Sequence, residues 1–532
     1  MSLSFQALVT DFSNKAFVFD GNSSESKVVS LKKISKAALH IGTDFLTYHS
    51  LLLFTITHPQ NKAVFDLAQN ELKRLTAYLK RGTNASHALL ANSGLPYTTL
   101  TTRYSPEVFN ELIGNKQLEI RLDSITKGVF DLNAFCNISL PSILKEETTA
   151  ELDNDSLMEL LGVPGNKKFE FLLNEINNIK AAPQAKDYLW QSLDPFFCLK
   201  GRHVSFSKTY NKVETKSIFI TEKLTKQFNQ FELLDQKISL SVKLSKPERN
   251  KLIAVIQHTM TLSMREIDPI TYMDKNSLRF FHLSNGLSMA ICGMLPERQL
   301  TLQSYVGYTL FKNGYPISYG GAWIFGKCAL FALNIFEEYR GGESKYVMTQ
   351  ILRLYRQLFG VCYFEIEPFQ FGNEDALQSG AFWFYYKFGF RPKERDLIKL
   401  AHAEAKKIEK NKAYKSSIRI LSKLANGNIA LHINSEAYVH RNEIMKPILQ
   451  LIGKQYKGNH AKALADAKKY FIKLAPGFKK LSATEEIVFE EIALWAFALK
   501  IKDRAKLGLM AKMTKAKTED YILYNQLIVG VI

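Results

Sequence analysis

A pair of glycines between a predicted strand and a predicted helix is the feature of the sequence best suited to binding a ligand. The run Tyr339-Arg340-Gly341-Gly342-Glu343-Ser344-Lys345 separates an apolar segment from an amphipathic one. Glycines allow a backbone to approach a ligand closely, and the first N–H groups of a helix have no partner inside the helix. This arrangement predicts an anion site suited to a phosphate or pyrophosphate. Arg340 and Lys345 could neutralise such phosphates, or they could simply be solvated.

The elements around this turn follow from hydrophobic patterning. Asn313-Gly314 supplies the positive φ angles of a tight hairpin turn between two apolar runs. Before the glycines, the stretch from Cys328 to Phe336 is apolar on both faces, which is typical of a buried central strand. After them, an apolar stripe from Tyr346 to Leu358 predicts a helix. A second strand is expected from Val361 to Ile366, followed by a helix around Ala381 to Tyr386.

Taken in order, these elements resemble the core of the GCN5-related N-acetyltransferase (GNAT) superfamily, over roughly Ser277 to Pro392. That core consists of a hairpin, a central strand, a pyrophosphate loop, a helix, a splayed strand and a helix that closes on an aromatic-Gly-Phe. The family's closing pattern is Ala-x-x-x-Tyr-x-x-x-Gly-Phe. Its four fixed positions are met by Ala381, Tyr385, Gly389 and Phe390.

The family's loop pattern, Gln/Arg-x-x-Gly-x-Gly/Ala, is matched less fully. Gly342 stands in the glycine slot, whereas Tyr339 and Ser344 stand in the first and last slots. Gln378 replaces the asparagine that is usual three residues before the closing alanine. The resemblance therefore depends on several elements in order and not on one motif.

The resemblance implies an α/β (α+β) fold with a GNAT-like mixed, partly splayed sheet flanked by helices. It also implies an acyl-CoA-dependent N-acyltransferase, which moves an acyl group, acetyl in the first instance, directly from a thioester to an amine. The co-substrate would be acetyl-CoA or another acyl-CoA, and no metal would be needed. The residues expected to bind it are Leu333, Arg340, Gly341, Gly342, Glu343, Ser344 and Lys345.

Acyl transfer to an amine needs a base, a stabilised oxyanion and a proton donor for the thiolate. A carboxylate near the end of the central strand could be the base. Glu337 and Glu338 follow that strand, while Glu365 and Glu367 lie at the end of the next one. Strand alternation places Glu365 and Glu367 on one face. Spacing does not select among the four, and each could instead be a surface or ion-paired carboxylate.

The resemblance assigns the other two roles. Backbone N–H groups near Leu333 and Asn334 would stabilise the oxyanion where the neighbouring strand splays away. The Asn334 side chain could instead form one hydrogen bond with the splayed strand and have only a structural role. Tyr385 stands where family members often carry the tyrosine that protonates the thiolate. It lies in the aromatic run Phe382-Trp383-Phe384-Tyr385-Tyr386, most of which must be core.

Composition indicates a multidomain, basic protein. A chain of 532 residues predicts two to four domains, and its formal net charge is +19. The sequence opens without a basic head followed by an apolar run, so we expect no secretory signal and no membrane span. Its five cysteines lie far apart and include no Cys-x-x-Cys pair. This spacing favours reduced thiols in a cytoplasmic protein and argues against a structural zinc site.

Three domains are expected. Residues 1–245 predict a mostly helical domain with some β structure and unknown role, including a helical hairpin broken at His58-Pro59. Residues 246–394 would form the GNAT-like acyltransferase domain. Residues 395–532 predict a helical, lysine-rich domain, with a break at Pro476-Gly477. This last domain carries 26 lysines and arginines against 13 acidic residues, a net charge of +13.

Two alternatives to an active acyltransferase stay open. The mismatches at Tyr339 and Ser344 favour a GNAT-fold binding or scaffold protein that has lost catalysis. The basic last third favours an acyltransferase that acts on an RNA-linked acceptor, although the same charge could be a solvated helical surface. The expected partners are therefore acyl-CoA and an amine-bearing acceptor, with nucleic acid as a further candidate.

Overall fold

The computed structural model describes residues 4–126, 128, 130–145, 148, 152–475 and 481–532. The break expected at Pro476-Gly477 lies outside these residues. The strands are β1 Thr99–Thr102, β2 Leu118–Ile125, β3 Pro195–Gly201, β4 Arg279–His282, β5 Leu287–Gly293, β6 Ser304–Lys312, β7 Tyr315–Phe325, β8 Cys328–Ile335, β9 Tyr363–Ile366, β10 Arg391–Pro392 and β11 Ile429–His432.

The helices alternate with these strands in the middle of the chain and follow one another at its two ends. They are α1 Phe5–Ala16, α2 Ser23–Ile34, α3 Thr43–Thr57, α4 Lys62–Lys80, α5 Asn84–Ala88, α6 Pro106–Leu112, α7 Leu132–Ser139, α8 Asn154–Leu160, α9 Lys168–Asn178, α10 Pro183–Leu193, α11 Gln230–Asp235, α12 Lys246–Leu262, α13 Asp268–Thr271, α14 Ser344–Phe359, α15 Phe369–Gly372, α16 Glu374–Ser379, α17 Ala381–Phe388, α18 Arg395–Lys410, α19 Ile418–Leu424, α20 Arg441–Gln450, α21 His460–Leu474, α22 Ala483–Ala498, α23 Arg504–Glu519 and α24 Tyr521–Val531.

The chain divides into two compact units. The first comprises residues 1–224, 245–271 and 312–316, and the second comprises residues 225–244, 272–311 and 317–532. The division into three domains that the sequence suggests stays a prediction, and each unit is described by itself.

The first unit is mainly helical, with one small sheet. Strand β3 lies between β1 and β2, and both pairings are antiparallel. An aromatic cluster packs against this sheet: the ring of Phe197 on β3 lies 4.5 Å from that of Phe109 and 5.9 Å from that of Trp190. The helical hairpin expected around His58-Pro59 is confirmed, because α3 and α4 pack against each other on either side of that break.

The second unit contains a mixed sheet of eight strands in the order β10-β11-β9-β8-β7-β6-β5-β4. The pair β8–β9 is parallel, while β4–β5, β7–β8, β9–β11 and β10–β11 are antiparallel. Helices α14 and α17 pack against it in one hydrophobic core. The mixed α/β class expected from the sequence is thus confirmed, although the finer GNAT-like assignment stays a prediction.

One strand of this sheet corrects the prediction of a wholly helical region after residue 394. Strand β11 pairs with β9, Ala430 standing opposite Glu365. Its four residues are too few to show a two-residue period. Their extended conformation depends on pairing with a strand more than 60 residues away, which local propensity does not reveal.

The segment from residue 225 to 244 lies along α14. Arg353 donates from Nε to the Gln236 carbonyl at 2.8 Å and from an Nη to the Lys237 carbonyl at 2.5 Å. Arg356 pairs with Asp235 at 2.7 Å. Arginines on α14 thus hold this segment in place, although its own sequence pattern indicates neither a helix nor a strand.

The expected hairpin turn is confirmed at Asn313 and Gly314, whose φ angles of 48° and 83° suit a two-residue turn. The Asn313 side chain accepts from the Phe219 N–H at 2.8 Å and donates to the Thr57 and Phe219 carbonyls, each at 3.0 Å. A Cβ on Gly314 would lie 2.2 Å from the Val213 carbonyl oxygen. Glycine is therefore required there by conformation and by space.

Gly314→Ala should destabilise the first unit strongly. Gly162→Ala is the matched control, because Gly162 also has a positive φ of 70° but has no atom within 4 Å of the added carbon. The control should cost about 1 kcal/mol of unfolding free energy, and Gly314→Ala should cost at least about 2 kcal/mol more. Urea titrations followed by circular dichroism measure both. Equal costs would show that the contact with Val213 is relaxed without penalty.

Among the described residues, no helix combines the length and the continuous apolar sequence needed to cross a bilayer. All five cysteines are free thiols. The described part of the chain also contains no group of three or more histidine, cysteine or acidic side chains arranged to hold a metal ion.

Candidate functional site

The parallel strands β8 and β9 part after three paired residues. Their register covers residues 328–330 of β8 and 363–365 of β9. β8 continues to Ile335 beyond this point, so its residues 331–335 have no ladder partner in β9 among the described residues. Two residues after β9 ends, Pro368 stands at the N-cap of α15, where it has no N–H with which the ladder could resume.

Two side chains form hydrogen bonds with backbone groups of β8 in the part that does not pair with β9. The Leu333 N–H donates to Oε1 of Gln370, the second residue of α15, at 3.3 Å. Nε of Arg340 donates to the Ile335 carbonyl at 3.0 Å. Gln370 is half-buried and Arg340 is exposed. Both are ends of rotatable side chains, so a ligand with amide groups can replace them without disturbing the strand.

The glycine turn leads directly into α14. Gly342 has a φ of 145°, which side-chain-bearing residues rarely adopt. No side chain caps the start of α14, although the Val347 N–H bonds to the Glu343 carbonyl at 2.8 Å. The N–H groups of residues 344–346 are therefore those that a helix start leaves without an intrahelical partner. This is the geometry expected of an anion site.

A buried carboxylate also stands at this helix start. Glu343 is 5% exposed, and its Oε1 accepts a hydrogen bond from the Thr225 N–H at 2.9 Å. The helix dipole favours this negative charge, which in turn opposes a second anion. The nearby cation of Lys345 has its Nζ 4.9 Å from the centre of the Phe228 ring. The charge of an anionic ligand would thus be repelled by Glu343 and attracted by Arg340 and Lys345.

Tyr385 lies in the core beside the sheet. It is 4% exposed, and its ring centre is 6.3 Å from that of Phe371 on α15. It is also close enough to Tyr308 of β6 to influence that residue's pKa, and the Tyr308 hydroxyl donates to the Ala332 carbonyl of β8 at 3.3 Å. Burial raises the pKa of Tyr385, so the phenol keeps its proton at neutral pH. A protonated phenol can act as a general acid.

Glu365 is part of a buried ion-pair cluster. It is 7% exposed and accepts from Lys393 Nζ at 2.8 Å and from Asn428 Nδ2 at 2.5 Å, with His440 Nε2 3.8 Å away. Burial alone would raise the pKa of this carboxyl, but the nearby His440 and the hydrogen bonds from Lys393 and Asn428 lower it to about 2. So acidic a group is a weak base, which favours a structural role.

The other residues proposed for catalysis lie outside this cluster. Glu337 follows β8 and Glu367 follows β9, and both are exposed. Glu367 lies one residue beyond the end of β9, so strand alternation does not extend to it. Glu338 is half-buried in the same short turn as Glu337. Asn334 is half-buried, and its carbonyl accepts from the Ser318 hydroxyl at 2.8 Å.

The sequence interpretation missed a side chain that hydrogen-bonds to the predicted oxyanion donor, the Leu333 N–H. Gln370 is an amide between Phe369 and Phe371, directly after a buried strand and a proline. A polar residue in such a position must find a hydrogen-bond partner, and this need could have identified Gln370 from the sequence. No comparable feature identified Tyr308, because a tyrosine in an apolar strand usually belongs to the core.

The ion-pair interpretation of Glu365 predicts a pH-dependent stability. A depressed pKa in the folded state stabilises the protein above the unfolded-state pKa, and this stabilisation is lost as the pH falls toward about 2. Glu365→Gln should therefore lower the unfolding free energy by roughly 3 kcal/mol at pH 7, and this difference should roughly halve by pH 3. Urea titrations across that range provide the measurement.

Glu337→Gln is the matched control for Glu365→Gln, because Glu337 is exposed. It should change the unfolding free energy by no more than about 0.5 kcal/mol at either pH. A Glu365→Gln cost that stays constant from pH 7 to pH 3 would contradict the ion-pair interpretation.

Comparison with known proteins adds no relative: no protein-family model, no curated protein and no solved structure matches this chain.

Proposed function

We propose that the second unit is an acyl-CoA-dependent N-acyltransferase of the GNAT type. The observation that carries this proposal is the unpaired edge of β8 beside β9, which ends next to a glycine turn and a helix without a side-chain cap. A thioester carried on an arm with amide groups fits such an edge, because those amides can pair with exposed strand N–H and C=O groups. The phosphates at the far end of the same arm suit the start of α14.

In the proposed reaction the acceptor amine attacks the thioester carbonyl. A C–N bond forms, the C–S bond breaks and the amine loses one proton. The exposed carboxylates Glu337 and Glu367 are the better candidates for the base, since Glu365 is already ion-paired. The Leu333 N–H would stabilise the oxyanion once Gln370 has moved away. Tyr385 would protonate the thiolate.

A binding protein without catalysis is the second candidate, and two contacts favour it. Gln370 already occupies the Leu333 N–H, and the Glu343 carboxylate stands where phosphates would bind. Such a protein would bind acyl-CoA, or a chemically related ligand, without transferring the acyl group. A third candidate, transfer to an RNA-linked acceptor, keeps the same site and changes only the acceptor.

Tyr385→Phe separates transfer from binding. Removal of the hydroxyl should lower the rate of acyl transfer to an amine panel by roughly 100-fold or more, while the affinity for acetyl-CoA stays the same. Tyr386→Phe is the matched control on the same helix and should leave both unchanged. Isothermal titration measures binding, and release of free thiol measures transfer.

The outcomes of this experiment distinguish the candidates. Binding without transfer in the wild-type protein would favour the non-catalytic candidate. No binding of acetyl-CoA or of longer acyl-CoAs at millimolar concentration would remove the acyl-CoA proposal altogether.

Gln370→Ala tests whether the ligand takes the position of this side chain. The variant exposes the Leu333 N–H, so acetyl-CoA no longer has to displace an internal hydrogen bond. Its dissociation constant should fall by about fivefold, the equivalent of one hydrogen bond of about 1 kcal/mol. Gln378→Ala, an exposed glutamine on α16, is the control. Weaker binding by Gln370→Ala would show that this amide contacts the ligand directly.

A further inference from the structure

A basic helical pair is inserted between two adjacent strands of the large sheet. β10 and β11 are antiparallel neighbours, which a short turn could connect, yet residues 393–428 lie between them. This insertion contains α18 and α19. From residue 395 to residue 423 it carries nine lysines and arginines against three acidic residues. Pairing of the two strands does not explain the length or the charge of the insertion.

The charge of α18 is concentrated on one face. Five of its six exposed residues with basic side chains recur at intervals of four, three, four and four positions, which keeps them within one arc of the helix; the sixth, Lys407, lies outside this arc and pairs with Glu404. Over fifteen residues this arc extends for about 22 Å. We call it the basic stripe, and its members are Arg395, Lys399, His402, Lys406 and Lys410.

The opposite face of α18 is turned toward the core. Ala401 is fully buried, and Leu400, Ala405 and Ile408 pack against the main hydrophobic cluster. Helix α18 therefore has no apolar face left to insert into a lipid surface, because only Ile398 among its large apolar side chains is exposed. The solvent-exposed face of α18 can therefore bind a partner through its charged side chains but not through apolar contacts.

A buried carboxylate fixes the loop that follows the basic stripe. Glu404 is 1% exposed and accepts from Lys407 Nζ at 2.7 Å, from the Tyr414 hydroxyl at 2.8 Å and from the Ser416 hydroxyl at 2.8 Å. Two further exposed lysines lie in this loop, at 412 and 415. The loop is thus held against α18, so its charges add to those of the stripe.

Most of the stripe lacks a neutralising partner. In the described part of the chain, Arg395, Lys406 and Lys410 have no carboxylate within 4.0 Å, and Lys399 has only the highly exposed Asp396 at 4.0 Å. Like charges four residues apart on a helix repel each other and weaken it. This unneutralised charge costs stability, which an anionic partner would recover.

We propose that the basic stripe binds the phosphate backbone of nucleic acid, independently of base sequence. A nucleic acid presents negative charge at regular intervals, which a cation stripe with one charge per helical turn can follow over several phosphates. The stripe presents arginine, lysine and histidine but no exposed aromatic ring for base stacking. The interaction therefore depends on charge, so its affinity falls steeply with salt.

The test compares two fourfold variants of the full chain. The stripe variant carries Arg395→Gln, Lys399→Gln, Lys406→Gln and Lys410→Gln. The control carries Lys454→Gln, Lys462→Gln, Lys469→Gln and Lys473→Gln, which remove the same charge from exposed positions in the same third of the chain. Fluorescence anisotropy with labelled 20-nucleotide RNA and DNA of mixed sequence gives the affinity at several salt concentrations, and thermal unfolding checks that both variants fold.

The stripe variant should bind roughly tenfold more weakly or worse at 100 mM salt. Its slope of log affinity against log salt should be less steep by about 3, since each lost phosphate contact contributes about 0.7 for a single strand. The control should keep the wild-type affinity, RNA and DNA should bind alike, and acetyl-CoA binding should be unchanged in both variants.

Several results would overturn the proposal. These are no binding by the wild-type chain below about 100 µM at low salt, equal weakening in both variants, or a strong preference for RNA over DNA. Binding to phosphatidylserine vesicles or to poly-glutamate without binding to nucleic acid would assign the stripe to another partner. None of these results depends on whether the chain transfers acyl groups.

Discussion

Backbone polar groups at the open edge of a buried strand must find partners, and this constraint governs the large sheet of the second unit. β9 stops pairing with β8 after three residues, and the chain then enters α15 from Pro368, which has no N–H to continue a ladder. The end of β8 stays paired with β7 on one side, but on the other side its N–H and C=O groups have no neighbouring strand. A protein can satisfy such groups with water, with side chains or with a ligand.

In this protein, side chains bond to some of the polar groups along that edge. Whether a ligand can replace them depends on how firmly each side chain is held. Gln370 and Arg340 each contribute one hydrogen bond through a flexible arm, so their contacts can be exchanged for those of a ligand at low cost. The cluster around Glu365, on the next strand, is different. Its carboxylate is buried and held by Lys393 and Asn428, so breaking that contact would leave an unpaired buried charge. The contacts at the end of β8 can thus be exchanged, whereas those of Glu365 on the neighbouring β9 are fixed.

Much of the fold could be predicted from local patterns. The positive-φ turn at Asn313-Gly314, the central strand and the helix after the glycines are each encoded within about a dozen residues. β11 could not be predicted in this way, because its strand conformation depends on distant pairing. The charge of the last third was visible in the sequence, but its concentration on one face of α18 became visible only with the boundaries of the helix.

The candidate site was predictable in outline only. The glycine turn and Tyr385 stand out by residue type, whereas the contact between Gln370 and Leu333 depends on how far two strands remain paired. Likewise, the sequence allowed any of the four carboxylates to be ion-paired but could not single out Glu365, because Lys393 and Asn428 reach it from other segments of the chain. Residue types indicate which chemistry is possible, and long-range pairing decides which groups are already engaged.

Hydrogen exchange of the β8 amides shows whether an acyl-CoA binds along the open edge of this strand. If the open edge of β8 receives the arm of an acyl-CoA, saturating acetyl-CoA should slow amide exchange at Leu333, whose N–H bonds to the Gln370 side chain and not to a strand, and in the first turn of α14, while residues 328–330, already paired with β9, should not change. Unchanged exchange at Leu333 under saturating ligand would contradict this interpretation, because the ligand would then bind elsewhere.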